Sequence, residues 1–233
     1  MNEINRAEVA ALVRAVDYSQ ALTITATEED VRAACRDARR YGFRAVVAFP
    51  QYLGVIVDEL AGSGVLAQIP VGFPCGGSTT AVKCREAEQG LERGACDLDM
   101  VMSIGRFKAG DYRAVAEDIA RVMEVAGPFG VPFKVIIEIG VLTEEEKRTA
   151  AKLVADSGAD FVKTCTGFGP GRATVHDVML IRSVVGDAVG IKASGGVASL
   201  EDGVAMMRAG ATVVALRDVL VRQLEAMGWS EKS

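Results

Sequence analysis

The chain has 233 residues, half of them hydrophobic, so it is long enough to bury the core of one large domain or of two small ones. Its 26 basic and 31 acidic residues give a net charge of −5, which argues against nucleic acid or an anionic membrane as the main partner. No apolar run approaches the ~18 residues that a membrane-spanning helix needs, and the N-terminus lacks the apolar core of a signal peptide.

The cysteines and the single histidine limit the chemistry that the chain can support. The five cysteines form no Cys-x-x-Cys pair and their number is odd, which is typical of a reduced, cytoplasmic protein. One histidine, His176, offers little for a zinc site or a Ser-His-Asp triad. Neither a Walker motif nor a dinucleotide glycine motif occurs, so we expect no metal and no cofactor.

Helices are predicted from their first and last turns. Residues 1–16 have a polar, helical pattern and predict a leading helix. Beyond it, a Ser or Thr followed three residues later by an acid indicates helix starts, and we find this pattern at Thr27, Thr143, Thr174 and Ser199. Glycines indicate where helices end and strands follow, at Gly94, Gly158 and Gly210.

Short runs rich in Val, Ile and Phe alternate with these helices and predict about eight strands. They cover residues 44–49, 65–73, 97–102, 133–139, 160–164, 189–193 and 212–216, with a less apolar first strand at 17–23. Continuous apolar runs favour strands buried on both faces of a parallel sheet. We therefore predict an α/β fold, a single (β/α)8 TIM barrel spanning residues 1–233. An open doubly wound sheet is the alternative.

Two lysines end two successive predicted strands, and each is followed by a loop of Thr or Ser and glycine. Lys163 ends an apolar run that opens into the glycine-rich residues 167–171, and Lys192 precedes Gly195 and Gly196. In a barrel, the active site lies at the carboxyl ends of the strands. Burial and a nearby second ammonium both lower the pKa of an amine, so we expect Lys163 to be a neutral nucleophile beside a charged Lys192.

The fourth predicted strand supplies the acid for this chemistry. Asp97 and Asp99 lie two positions apart and share a face, and Asp99 is nearer the carboxyl end of the strand. A carboxylate there can hold Lys192 and pass protons while an imine forms on Lys163. The resulting iminium withdraws electrons, so an adjacent C–C bond can break or form through an enamine. Either lysine alone, however, is also compatible with a solvent-facing strand end.

The glycine-rich loops are candidates for binding an anion. Gly195 and Gly196 precede one helix, and residues 167–171 precede another, so both loops can present backbone N–H groups to a phosphate. Glycines also serve ordinary turns, so this signal is weak by itself.

These residues resemble the deoxyribose-phosphate aldolases, class I Schiff-base aldolases with a (β/α)8 barrel. The similarity extends over most of the chain. The matching motifs are TATEED at 25–30, YGF at 41–43, VGFP at 71–74, STT at 78–80, VK at 82–83, DMV at 99–101, GDY at 110–112, KVIIE at 134–138, FVKT at 161–164, TGF at 166–168, ATV at 173–175 and KASGGV at 192–197.

The resemblance implies a function and a set of roles. Lys163 would form the imine without any cofactor, Lys192 and Asp99 would tune its pKa and relay protons, and Asp17 would be the family's strand-one aspartate. The reaction would be reversible cleavage of 2-deoxyribose 5-phosphate into glyceraldehyde 3-phosphate and acetaldehyde. The partner would be a small aldehyde or sugar phosphate, with a homodimer as a possible assembly. Thr166, Gly167, Gly195 and Gly196 would bind substrate.

The sequence departs from the family at the substrate end. The last strand usually closes in a small, hydroxyl-rich phosphate-binding sequence, but here it reads VVALRD at 213–218, and Arg172 replaces a usual glycine. Arg172 and Arg217 can bind an anion through their side chains, or Arg217 can pair with Asp218. Tyr18 and Phe49 instead suggest that the acceptor aldehyde is bulkier or more apolar than glyceraldehyde 3-phosphate. The alternatives are therefore an imine enzyme acting on another, non-phosphorylated or biosynthetic substrate, and a non-catalytic metabolite-binding barrel.

Overall fold

Eight parallel strands close into a barrel in the computed structural model, which describes residues 4–229. Each strand pairs with the next along the chain, and the first pairs with the last. The predicted (β/α)8 barrel is therefore confirmed, and the open sheet is excluded. The strands are β1 (Val16–Tyr18), β2 (Ala45–Val47), β3 (Leu66–Val71), β4 (Asp97–Val101), β5 (Phe133–Ile136), β6 (Phe161–Lys163), β7 (Gly190–Ala193) and β8 (Val213–Leu216).

Ten α-helices within residues 4–229 surround the barrel. The described part of the predicted leading helix is α1, which begins after Asn5, while residues 1–3 lie outside the described residues. The helices are α1 (Arg6–Arg14), α2 (Glu28–Tyr41), α3 (Leu53–Leu60), α4 (Thr80–Glu92), α5 (Ile104–Lys108), α6 (Tyr112–Ala126), α7 (Glu144–Asp156), α8 (Val175–Val185), α9 (Leu200–Arg208) and α10 (Asp218–Ala226).

The helix starts are fixed by the side chains that the sequence indicated. Thr27, Thr143 and Thr174 each accept the backbone N–H of the acidic residue three positions later, and that acid accepts the N–H of the threonine in return. Ser199 caps α9 in the same way, although Asp202 accepts the N–H of Ala198 rather than that of Ser199. These bonds satisfy N–H groups that otherwise have no partner within the helix.

The first strand is shorter than the sequence predicted. β1 ends at Tyr18, and not near residue 23, because the chain turns at once: the N–H of Ser19 bonds to Leu216 of β8, and the N–H of Leu22 bonds back to Ser19. The alternation within β1 matters for the site. Asp17 points into the barrel, whereas Tyr18 points outward, contacts Phe43 and donates to Asp37 of α2.

Two different environments lie on the two faces of the barrel. Outward-facing apolar side chains such as Ile69, Leu98 and Val162 are fully buried against the helices and form the hydrophobic core. Many inward-facing side chains are instead polar or charged, and they too are almost completely buried. No helix within residues 4–229 is both long enough and apolar enough to cross a bilayer.

Candidate active site

A network of seven charged side chains and one neutral amide, that of Gln68, occupies the interior of the barrel. Its side chains come from β1, from the residue that precedes β2, and from β3 to β7. They meet because alternate residues of each strand point into the barrel. Its members are Asp17, Arg44, Gln68, Asp97, Asp99, Lys134, Lys163 and Lys192. Each of them except Arg44 is at most 2% exposed.

The upper part of this network contains both predicted lysines. Lys163 and Lys192 each place Nζ 2.7 Å from the same oxygen, Oδ2 of Asp99. Lys192 also lies 2.5 Å from Oδ2 of Asp17. Four of the residues singled out in the sequence are therefore brought into direct contact, although their positions in the chain are far apart.

This contact pattern gives the two lysines opposite pKa shifts. Burial lowers the pKa of Lys163 to about 8, with a further contribution from Lys192 and against the attraction of Asp99. Burial also acts on Lys192, but Asp17 and Asp99 outweigh it and raise the pKa of Lys192 above its ordinary value. One amine is therefore easily deprotonated, while its neighbour stays charged, which is the combination that a nucleophilic lysine requires.

The carboxylates remain ionised in spite of their burial. Burial by itself raises the pKa of Asp99, but Lys163, Lys192 and Lys134 hold it well below its usual range. In the same way, Lys192, Lys134 and Arg44 lower the pKa of Asp17 to about 2 against the effect of burial. Asp99 is thus a charged acceptor that both amines share, and it can exchange protons with either.

The lower part of the network was only partly anticipated. Arg44 bridges Asp17 and Asp97 at 2.5 and 2.6 Å, and Lys134 bonds to Asp97. Gln68 lies between the two parts and was missed. Its signal in the sequence is a lone polar residue at an inward-facing position of an otherwise apolar strand.

A cavity of about 830 Å³ opens above Lys163 and Lys192, at the carboxyl ends of the strands. Gly167, Gly195 and Gly196 line it with left-handed backbone conformations, at φ +83°, +85° and +86°. Within residues 4–229, none of these three N–H groups donates a hydrogen bond. The loops can therefore direct backbone donors at an anionic group in the cavity.

Two arginines reach the same cavity from different loops. The stem of Arg172 lies across Gly196, where an added Cβ would come within 2.6 Å of the Arg172 side chain. Arg217 directly precedes α10, and Asp218 pairs with Arg222 instead of with Arg217. Among the described residues, neither Arg172 nor Arg217 has a carboxylate within salt-bridge distance, so both guanidinium groups can bind an external anion.

The loop after β6 is held by a buried carboxylate. Glu138 accepts both the N–H and the hydroxyl of Thr166, and the hydroxyl oxygen in turn accepts the N–H of Phe168 at 3.0 Å. Thr166 lines the cavity, but its polar groups are engaged by Glu138 and by its own loop. Its position therefore suits it to shaping the cavity wall.

The sequence suggested that Tyr18 contributes to the binding site of the acceptor aldehyde, and the structure shows that it does not. Tyr18 is completely buried on the outer side of β1, because strand alternation places it opposite to Asp17. Phe49 instead packs against Phe73 and Phe168, with ring centroids 6.0 and 6.2 Å away. Phe168 itself remains 37% exposed beside the cavity loops. These three rings form an apolar wall at the mouth of the barrel.

Comparisons with known proteins agree with this geometry. Residues 11–224 match the model of the DeoC/LacD family aldolases. The chain is 44% identical to a deoxyribose-phosphate aldolase of Aciduliprofundum boonei over 201 residues, covering 86% of this chain and 90% of that protein. It is 45% identical to one of Thermococcus kodakarensis over 210 residues, covering 89% and 92% of the two chains.

A solved structure of a deoxyribose phosphate aldolase is also similar to this chain. The tetrameric deoxyribose phosphate aldolase of Aeropyrum pernix superimposes with a TM-score of 0.85 at 30% sequence identity, over 97% of this chain and 99% of that one. Fold, sequence and the charged barrel interior thus lead to one conclusion: the chain belongs to the DeoC/LacD aldolase family and is a class I aldolase, an aldehyde-lyase.

Proposed function

We propose that this protein cleaves 2-deoxyribose 5-phosphate reversibly into glyceraldehyde 3-phosphate and acetaldehyde, with Lys163 as the imine-forming lysine. The observation that carries this proposal is that Lys163 and Lys192 share one oxygen of Asp99 while their pKa values are shifted in opposite directions. The relatives named above carry the same activity in their names.

Imine formation begins with the neutral amine of Lys163. Nζ attacks the aldehyde carbon of the open-chain sugar, and the carbonyl oxygen takes up a proton to give a carbinolamine. Water then leaves, and the nitrogen becomes an iminium. Lys192, which stays charged, and Asp99, which contacts both amines, are placed to donate and accept these protons.

Cleavage follows from the electron demand of the iminium. The hydroxyl on the third sugar carbon loses its proton, the bond between the second and third carbons breaks, and its electrons pass into an enamine on Lys163. Glyceraldehyde 3-phosphate leaves as an aldehyde. Protonation of the enamine and hydrolysis of the imine then release acetaldehyde and restore the free amine. The iminium acts as the electron acceptor, so this chemistry uses no cofactor.

The phosphate of the substrate would be bound by the loops above β6, β7 and β8. We infer that the N–H groups of Gly167, Gly195 and Gly196 and the side chains of Arg172 and Arg217 provide its donors. An arginine makes charge-assisted hydrogen bonds to phosphate that are stronger than those of a neutral donor. Thr166 and Asp17 would act indirectly, by fixing the loop and Lys192 respectively.

A cytoplasmic location and a homodimer remain predictions. All five cysteines are free, as expected for a reducing compartment. The homologue from Aeropyrum pernix is a tetramer, so assembly beyond a dimer is also to be tested, for example by light scattering.

Trapping of the imine tests the proposal directly. Acetaldehyde and borohydride should add one ethyl group to Lys163, located by peptide mass spectrometry. Lys163→Leu should abolish both the adduct and aldol cleavage, whereas Lys152→Leu, on the exposed surface of α7, should change neither. Folded protein without an adduct at Lys163 would refute the assignment. Adduct formation without turnover of 2-deoxyribose 5-phosphate would point to a different substrate, which a panel of plain and phosphorylated aldehydes would identify.

A further inference from the structure

Gln68 occupies the centre of the buried network. Its Nε2 lies 3.1 Å from Oδ2 of Asp17, 2.9 Å from Oδ1 of Asp97 and 3.1 Å from Oδ1 of Asp99. Its Oε1 accepts a hydrogen bond from Nζ of Lys192 at 3.0 Å. One fully buried amide therefore contacts three carboxylates and the charged lysine. Since an amide nitrogen carries two hydrogens, the three carboxylates share them.

The charges around Gln68 balance when Lys163 is neutral and the other basic side chains of the network are charged. The network contains three carboxylates and three cations besides Lys163; these are Asp17, Asp97 and Asp99, and Arg44, Lys134 and Lys192. With Lys163 neutral, the buried network carries no net charge, and with Lys163 protonated it carries one positive charge. Because uncompensated buried charge is costly, this count favours the neutral amine.

The other groups near the network leave this count of buried charges unchanged. Arg172 and Arg217 line the cavity above it, but both are exposed to solvent. β8 contributes the apolar Val213 and Ala215. Beyond β5, the carboxylate of Glu138 is engaged by Thr166, at the mouth of the barrel. Beyond β6, burial raises the pKa of the Cys165 thiol to about 12, so the thiol stays neutral.

We propose that Gln68 is a positioning residue for imine formation: it orients Asp99 between the two lysines, and its neutral side chain keeps the buried charges balanced when Lys163 is deprotonated. This inference rests on the proposed role of Lys163. A carboxylate at position 68 would add a fourth negative charge to the network. The proton that compensates it would bind to Lys163, because that amine is more basic than carboxylates that are surrounded by cations.

Two substitutions separate the effect of charge from that of orientation. Gln68→Glu keeps the shape and an acceptor for Lys192 but adds a charge. Gln68→Met keeps the length and neutrality but removes the donors to all three carboxylates. We expect Gln68→Glu to shift the midpoint of the pH profile for imine trapping upward by at least about one pH unit, with about tenfold slower trapping at neutral pH. We expect Gln68→Met to slow trapping at every pH while its midpoint stays at the wild-type value.

The measurement is the rate of acetaldehyde trapping on Lys163 as a function of pH, with folding monitored by circular dichroism. The double variant Asp17→Asn/Gln68→Glu restores the charge count and should return the midpoint toward that of the wild type. An unchanged midpoint in folded Gln68→Glu overturns the charge argument. If Gln68→Glu does not fold, Gln68→Met still tests the positioning role. Trapping by Gln68→Met at the wild-type rate overturns that role. Absence of an adduct in the wild-type protein refutes the role of Lys163 instead, so the two failures are distinguishable.

Discussion

Lys163 of β6 and Lys192 of β7 are register partners on neighbouring strands, so their side chains enter the barrel side by side. Both amines then meet at Oδ2 of Asp99, each at 2.7 Å, and their nitrogens can be at most twice that distance apart. This register explains why the two amines differ: Lys192 has a second carboxylate, Asp17, at 2.5 Å, whereas Lys163 has Asp99 alone within salt-bridge distance among the described residues.

The pH dependence of imine formation should follow the deprotonation of Lys163. Its pKa of about 8 means that the reactive neutral fraction rises as the pH increases through 8. We therefore expect the rate of trapping with acetaldehyde to increase with pH and to reach half its maximum near pH 8. A half-maximum near the ordinary lysine value of 10.5 would show that the protein does not depress this pKa.

Removal of Lys192 should impair the reaction most strongly at neutral pH. Lys192→Met takes away the repulsion that lowers the pKa of Lys163, and also a proton donor. We expect turnover at pH 7 to fall by about 10²–10⁴-fold, the usual range for loss of a general acid or base, with partial recovery as the pH rises. Lys152→Met, on the exposed surface of α7, is the matched control. A uniform loss at all pH values would contradict the effect on Lys163.

Removal of either cavity arginine should weaken binding of phosphorylated substrates selectively. A charge-assisted hydrogen bond contributes about 1.5–3 kcal/mol, so Arg172→Ala or Arg217→Ala should raise KM for 2-deoxyribose 5-phosphate by roughly 10–100-fold. Turnover of unphosphorylated 2-deoxyribose should not change. Arg121→Ala, on the exposed surface of α6, provides the control. Equal effects on both sugars would show that these arginines do not recognise the phosphate.

Loss of the Thr166 hydroxyl should loosen the loop between β6 and α8. Thr166→Val keeps the shape of the side chain but removes the donor to Glu138 and the acceptor for the N–H groups of Phe168 and Gly169. Each such bond contributes about 1 kcal/mol. We expect faster proteolysis within residues 166–171 and a KM about tenfold higher, and Thr166→Ser should restore both. Normal KM in Thr166→Val would separate the loop from substrate binding.

Asp17 should stabilise the fold above its ordinary pKa. Its pKa falls from 3.8 to about 2 in the folded chain, so the folded state holds the carboxylate ionised where the unfolded state takes up a proton. The resulting stability, about 2 kcal/mol, is fully present above pH 3.8 and is lost as the pH falls to 2. Asp17→Asn should lower the free energy of unfolding at pH 7 by at least this amount, measured by urea denaturation.

A control substitution identifies the source of this stability. Asp58→Asn, on the exposed face of α3, should leave the free energy of unfolding unchanged. The difference between Asp17→Asn and the wild type should shrink as the pH approaches 2. If the difference in free energy of unfolding between Asp17→Asn and the wild type did not depend on pH, the lost stability would come from packing and not from the charge of Asp17.

The sequence by itself determined the number and order of the strands. Apolar runs and capping residues are local signals, so the eight strands and the starts of α2, α7, α8 and α9 could be read directly from the chain. Strand-end positions and the loops that follow them are also visible along the chain. They made Lys163, Lys192 and Asp99 the candidate residues, which the structure brings into contact. Only strand ends were misplaced, as for β1, since hydrogen bonds to β8 and a tight turn decide where that strand stops.

Only the tertiary structure decided which charges meet. Gln68 and Arg44 lie on β3 and at the start of β2, and neither has a motif that links it to the distant aspartates. Tyr18 and Asp17 are adjacent in sequence, yet one faces the helices and the other the barrel interior. The physical reason is that barrel closure and strand register fix the distances between inward-facing side chains, and those distances, rather than residue type, set which amine loses its proton.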